Sequence, residues 1–195
     1  MTQNSKLTSR FEAALVYATQ LHATQVRKGS GIPYISHLLS VAALVLENGG
    51  DEDEAIGALL HDAVEDQGGA KTREEIRLRF GDEVVNIVDG CTDAEVIPKP
   101  PWFERKQKYI DNLRYASPSV RRVSLADKLH NARSILADWY KTGEAVWSKF
   151  KGGKEGTLWY YRSLLTIYKE AQPGFLTDEL ERIVTQLEKV SGLCN

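Results

Sequence analysis

Cysteine is nearly absent. Cys91 and Cys194 are the two in 195 residues, far apart and at no metal-binding or redox spacing. They read as a small buried residue and a tail thiol. A one-sided charge is missing too: 25 Lys+Arg stand against 27 Asp+Glu, a net charge of −2. That balance speaks against a nucleic-acid or membrane-surface partner. No apolar run approaches the length of a membrane span. The first ten residues are polar and lack the apolar core of a signal peptide. There is no internal repeat and no low-complexity segment. A cytoplasmic protein of unspecified oligomeric state is the expectation.

What is present is ordinary in amount. Hydrophobic residues make up 42% and charged ones 27%, which suits a globular protein able to bury a core. The length suits one domain, or one domain with a helical extension. Apolar residues recur at helical spacing almost throughout. Leu7, Phe11, Ala14, Leu15, Ala18 and Leu21 give a first helix; Leu38, Val41, Ala42 and Val45 give a second. Gly29 to Pro33 breaks the chain between them. Asp51 with Glu54 predicts a capping pair for a central helix. Thr72 to Glu75 predicts a capping box for the next helix. Val84, Val85, Ile87 and Val88 support another, although Val88 to Cys91 also has strand character. Ile97 to Pro101 is a proline-rich loop. Trp102 to Tyr115 reads as a helix, and Ser117-Pro118 as the start of a long one to about Tyr140. An aromatic helix over Leu158 to Tyr168 and a last one carrying Leu180, Ile183, Val184, Leu187 and Val190 complete an all-α chain of about ten helices.

Chemistry concentrates in the stretch Leu59-Leu60-His61-Asp62-Ala63-Val64-Glu65-Asp66. As one helix, it buries Ile56, Leu59, Leu60, Ala63 and Val64 on one face. Glu65 follows His61 by four residues and Asp66 follows Asp62 by four, so each pair shares a side. Three carboxylates crowded beside an imidazole repel one another unless a cation or a shared proton lies among them. A solvated acidic face is the simpler reading, but the apolar neighbours leave little room for a solvent-facing helix.

The chain has four histidines, His22, His37, His61 and His130. An isolated buried histidine is more often a hydrogen-bonded core residue than a ligand, and His22 and His130 are read that way. His37 and His61 lie on consecutive helices that can pack together. Asp127 is a carboxylate on an otherwise apolar helix, where it needs a partner. His37, His61, Asp62 and Asp127 form a nitrogen–oxygen set without thiolate, suited to Mn, Fe or Zn with positions left open.

These residues stand in segments that resemble a known family. Arg27-Lys28-Gly29-Ser30-Gly31-Ile32-Pro33-Tyr34-Ile35-Ser36-His37 is similar to the RK…G.PY..H segment of the alarmone hydrolases, and Leu59 to Asp66 to their LLHD.VED. Phe80 to Val84 and Leu125 to Arg133 resemble their FG..V and LAD+L.N.R. The matches fall in order over residues 21–140, with residues 141–195 expected as C-terminal helices packing on that core. The resemblance is to the HD-domain small alarmone hydrolases, stand-alone relatives of the Rel/SpoT hydrolase domain, since the chain has no room for a synthetase domain.

The resemblance implies a single HD-domain phosphohydrolase fold and removal of the 3′-pyrophosphate from ppGpp-like or ppApp-like nucleotides with Mn²⁺. It implies metal ligation by His37, His61, Asp62 and Asp127, and places Glu65 and Asp66 on the attacking water. Arg27, Lys28 and Asn131 would contact the nucleotide, with Arg105 and Lys106 as further phosphate contacts. Tyr160, within Trp159 to Tyr161, either lines the pocket or simply packs in the core. Gln67 and Ser124 depart from the common threonine and lysine of the family, which bears on phosphate or base recognition and leaves guanine and adenine both open. Two other readings compete: an HD phosphohydrolase for another nucleotide, and a nucleotide sensor without catalysis. The intact Glu65-Asp66 pair argues against the sensor.

Overall fold

In the computed structural model, which describes residues 7–94 and 98–192, the helical periodicity becomes helix along most of the chain. In order these are α1 (Ser9–Leu21), α2 (Ile35–Glu47), α3 (Glu52–Leu60), the short α4 (Ala63–Asp66), α5 (Ala70–Phe80), α6 (Asp82–Cys91) and α7 (Trp102–Tyr115). The long α8 (Pro118–Thr142) leads through a 3-10 segment, Gly143–Lys149, to α9 (Gly153–Ala171) and α10 (Phe175–Val190). The all-α class is therefore observed. The one β pairing among the described residues is an isolated antiparallel bridge between Val26 and Pro33.

α3 is the centre of the arrangement. Asp51 accepts from the Glu54 backbone N–H at 2.9 Å, and Glu54 accepts from the Asp51 N–H at 3.0 Å. This reciprocal cap is worth roughly 1 kcal/mol. Ala55, Ile56, Ala58, Leu59 and Leu60 are wholly buried, so the helix is apolar on every side and runs through the core. Truncating Leu59 to alanine would cost about 2–5 kcal/mol. Gly57 allows α6 to approach, since a Cβ there would lie 2.6 Å from Ile87 Cγ2. α1, α2, α6 and α8 all pack against α3.

α8 starts as predicted. Ser117 Oγ accepts from the Val120 N–H at 3.2 Å, and Pro118 takes the first helical position. Val123, Ala126, Leu129 and Ala132 on its inner side are fully buried, facing α2, α3 and α6. α10 packs against α8 and α9, and α9 against α7.

Two local expectations fail. The central helix does not run unbroken to Asp66. It ends at Leu60, and the chain turns at His61 and Asp62, where Asp62 has φ −99° and ψ −2°. That conformation lies in the sparsely allowed bridge region, common among active-site residues. The capping box at Thr72 is also absent. α5 begins earlier, after Gly69, whose φ of 59° favours glycine. Thr72 instead donates its hydroxyl to the Gln67 carbonyl at 2.7 Å, tying α5 to the end of α4. Val88 to Cys91 is helical, and Cys91 is buried and has no disulfide partner among the described residues. Ile97 of the proline-rich loop, the first six residues and Cys194 lie outside the described residues.

Candidate active site

The turn that ends α3 aims two side chains inward. His61, the cap residue, donates Nδ1–H to the Ala58 carbonyl at 2.8 Å. This bond fixes the tautomer and leaves Nε2 with a lone pair. Asp62 Oδ2 accepts from the Tyr34 hydroxyl at 2.5 Å. From the first turn of α2 comes His37, whose Nδ1 sits 2.7 Å from Nδ1 of His130. From the middle of α8 comes Asp127. Its Oδ1 accepts from Asn131 one turn on, and its Oδ2 from Lys128, each at 2.5 Å. Lys128 is in turn seated over the Tyr109 ring, 5.0 Å from its centroid.

The four side chains predicted as ligands converge. His61 Nε2 lies 3.0 Å from Asp62 Oδ2 and 3.7 Å from Asp127 Oδ1; His37 Nε2 lies 3.2 Å from Asp127 Oδ1 and 3.7 Å from Asp62 Oδ2. Both Nε2 atoms are buried, and none of these four contacts has hydrogen-bond geometry. Two imidazole lone pairs and two carboxylate oxygens thus point at one another, which is unfavourable without positive charge between them. The titration behaviour says the same. Burial pulls the His61 imidazole down, but Asp62 and Asp127 outweigh it and hold its pKa well above the usual value. Burial drives the Asp127 carboxyl up, but Lys128 and the two histidines bring it well below the usual range. His37, where burial dominates, is lowered. A divalent cation satisfies this donor set, and oxygen–nitrogen ligation without thiolate suits Mn, Fe or Zn. His37, His61 and Asp127 are all buried, with ligand atoms within 4.8 Å of one another.

Glu65 and Asp66 differ in their engagements. Glu65 Oε1 accepts from Lys99 Nζ at 2.6 Å and Oε2 from the Asp93 N–H at 2.9 Å. Asp66 Oδ2 accepts from Gln25 Nε2 at 2.9 Å, and its Oδ1 accepts from no described residue. Helical spacing survives the break, because the Asp66 N–H still reaches the Asp62 carbonyl at 3.0 Å. Burial, then the Asp62 charge, raises the Asp66 carboxyl above the usual range, against the pull of Gln25.

A cleft of about 640 Å³ opens above this group. Tyr34, Lys128, His130 and Asn131 line it, and each is hydrogen-bonded to one of the four convergent side chains. Arg27, Lys28, Lys106 and Tyr160 line the walls, with Lys141, Lys149 and Lys151 farther round. The cleft is strongly cationic although the chain as a whole is not. Arg27 donates to Asn131 Oδ1 at 2.7 Å, so it is linked through Asn131 to Asp127. Lys28 donates to the Lys149 carbonyl at 2.6 Å. Gly29, with φ 82°, leaves space for the Lys149 side chain, whose Cε would be 2.9 Å from a Cβ there. Lys106 bonds Asp93 at 3.1 Å and stands 4.9 Å from the centroid of the Tyr160 ring. Burial, then the charges of Lys128 and Arg105, push its ammonium down to about 7. The Tyr160 hydroxyl is buried and has no hydrogen-bond partner among the described residues.

Arg105, predicted as a phosphate contact, does not line the cleft and meets Lys106 and Glu65 only through Asp93. It pairs with Asp93, donates to the Pro100 carbonyl at 3.1 Å, and lines a neighbouring groove of about 780 Å³ that shares no residue with the cleft. Arg105 and Lys106, adjacent on α7, both reach Asp93, but only Lys106 also lines the cleft. Trp159 stacks on Phe103 at 4.5 Å, while Tyr160 and Tyr161 reach the cleft. Ser124 is fully buried and bridges the Tyr109 and Tyr168 hydroxyls at 2.6 and 2.7 Å, away from the cleft. Reading the sequence missed His130, Tyr34 and Lys128. His130 carried a signal, since it falls three residues after Asp127 and so shares its helix face.

Comparison with known proteins agrees with this geometry. A family model described as HD domain matches residues 14–158. The Xenopus tropicalis protein named guanosine-3′,5′-bis(diphosphate) 3′-pyrophosphohydrolase MESH1 is 41% identical over 132 residues, covering 64% of this chain and 71% of that one. The Homo sapiens protein of the same name is 38% identical over 122 residues, covering 61% and 65%. A probable GTP pyrophosphokinase of Mycobacterium leprae is 41% identical over 126 residues, 64% of this chain but 16% of the larger protein. Among solved structures, a metazoan ortholog of SpoT described as hydrolysing ppGpp superposes with a TM-score of 0.77 at 26% identity, covering 96% of this chain and 98% of that one. A Listeria monocytogenes protein superposes at 0.69 with 31% identity, covering 81% and 99%.

Proposed function

Because the chain belongs to the HD-domain family, we propose that it hydrolyses the 3′-pyrophosphate of an alarmone nucleotide, ppGpp or its adenine counterpart, with Mn²⁺. The products are pyrophosphate and a nucleoside that keeps its 5′-phosphates. The observation that carries this reading is the convergence of His37, His61, Asp62 and Asp127 under a cleft walled by Arg27, Lys28 and Lys106. A nucleotide phosphorylated at both ends carries two separated anionic groups. The four ligands with their cation meet one, and the basic walls meet the other.

A bound divalent ion would supply Lewis acidity and a water of lowered pKa. Asp66 holds one oxygen against Gln25 and keeps Oδ1 available, so it is the group that takes the proton of the attacking water. Glu65, occupied at both oxygens, draws Lys99 and the Asp93 backbone toward the site. Lys128 and Asn131 hold the Asp127 carboxylate in place, and Tyr34 holds Asp62. Arg27 and Lys28 bind the anionic end away from the reacting bond, and the Tyr160 ring with its unpaired hydroxyl offers a stacking face and a hydrogen bond to the nucleoside. The cytoplasm is the compartment this reading assumes. Among the described residues no helix is long and apolar enough to cross a membrane.

Asp127→Ala tests the assignment. It should lose bound metal and hydrolysis together while helix content stays near that of the unaltered protein. An active, metal-replete Asp127→Ala protein would overturn the ligand set.

A further inference from the structure

Gln25 was not predicted as a site residue, yet its side chain makes three hydrogen bonds. Its Nε2 donates to Asp66 Oδ2 at 2.9 Å. Its Oε1 stands 2.6 Å from His22 Nδ1 and receives Gln67 Nε2 at 2.6 Å. The direction of the amide is set by Asp66. An ionised carboxylate accepts only, so the NH₂ must face Asp66. The carbonyl then faces His22, which must carry its proton on Nδ1, and Gln67. Turning the amide over would set its oxygen against the Asp66 carboxylate.

The supports of this amide are themselves fixed. The Gln25 carbonyl receives the Tyr34 N–H at 2.9 Å, beside the Val26–Pro33 bridge. His22 is buried and stacked on Tyr34, with centroids 5.3 Å apart and planes at 19°. Tyr34 is the residue that holds Asp62. Gln67 follows α4 directly, and its carbonyl is held by Thr72. Asp66 needs such help, because it ends a helix of four residues, too short to define its own geometry.

We propose that Gln25 is a positioning residue for Asp66, clamped in one orientation by His22 and Gln67, so that Asp66 Oδ1 is presented to the attacking water. The clamp rests on the alarmone-hydrolase reading only for the identity of the reaction it serves. Gln67 follows Asp66 in the chain, and its side chain reaches the Asp66 carboxylate through Gln25, so the clamp predicts non-additive kinetic effects at the two glutamines.

Two measurements test it. The first is the Gln25 side-chain amide signal in ¹H–¹⁵N spectra of the full chain, compared with Asp66→Asn and Gln67→Leu. Displacement of the signal in both variants is the expected result. A signal unmoved in either overturns the clamp, whatever the substrate proves to be. The second is a kinetic cycle on the alarmone. Gln25→Leu should lower kcat roughly ten- to a hundredfold with KM changed less than threefold and metal content unchanged. Gln67→Leu should lower it about three- to tenfold, and the double variant should match Gln25→Leu alone, since one effect runs through the other. Gln25→Glu, which sets a second carboxylate against Asp66, should be slower than Gln25→Leu. Full kcat in Gln25→Leu, or independent losses that multiply in the double variant, would overturn the positioning role. Amide coupling in a protein inactive on both alarmones would uphold the clamp and overturn the alarmone reading instead.

Discussion

His37 Nδ1 and His130 Nδ1 lie 2.7 Å apart, so one ring must carry a proton on that nitrogen and the other must not. For His37 to present a lone pair at Nε2, its Nδ1 is the donor and His130 the acceptor. Burial, then the charges of His37 and Arg27, push the His130 imidazole down to about 4, which keeps it neutral and able to accept. A ligand histidine oriented by a second group is a recurring feature of metal sites.

His130→Phe should therefore weaken metal affinity by about 10- to 100-fold, with the fold retained. His130→Asn, which keeps an acceptor oxygen, should recover part of the loss. Competition against a chelator measures both. Equal affinity in the phenylalanine variant and the unaltered protein would remove His130 from the site.

Asp66 and Glu65 should separate under mutation. Asp66→Asn should cut turnover by roughly two to four powers of ten at unchanged metal content. Glu65→Gln should cost less, since Glu65 spends both oxygens on Lys99 and the Asp93 N–H. Steady-state kinetics with metal analysis checks this, and a Glu65→Gln defect larger than that of Asp66→Asn would reverse the assignment.

Much of this was legible in the chain. Asp51 with Glu54, Ser117-Pro118 and the span Trp102 to Tyr115 appear as predicted, because caps and apolar periodicity are local. The gathering of His37, His61, Asp62 and Asp127 was readable because crowded carboxylates and scarce histidines are unusual on apolar helices. The break at His61–Asp62 was not, since the residues on either side keep helical spacing and the turn answers to Tyr34 and Ala58 outside the pattern. Nor was the different placement of Arg105 and Lys106. Adjacent residues look alike in sequence, and both bond Asp93, but only Lys106 also lines the cleft. The contacts of Gln25 with Asp66 and Gln67 span 41 and 42 positions, which no local signal encodes.

Lys106 gives the cleft a pH dependence. Its folded value of about 7 lies below the ordinary 10.5, so the unfolded chain holds this proton more tightly. Protonation below about pH 7 costs the fold stability, and the cost disappears as pH rises from about 7 toward 10.5. A polyanionic nucleotide reverses the balance and favours the charged lysine. Binding at pH 8 should take up a fraction of a proton, and Lys106→Met should abolish that uptake and raise KM. Calorimetry in buffers of different ionisation enthalpy checks it; uptake unchanged in the variant would place the proton elsewhere.

The central claim is which bond is broken. The most direct measurement follows the ³¹P signals of ppGpp, of its adenine counterpart, and of GTP and ATP, each incubated with the Mn²⁺-loaded protein. The account predicts a pyrophosphate signal growing from at least one alarmone, with the 5′-diphosphate of its nucleoside left intact and both triphosphates unchanged. Release of single phosphates from the 5′ end, or faster hydrolysis of GTP or ATP than of either alarmone, would contradict it.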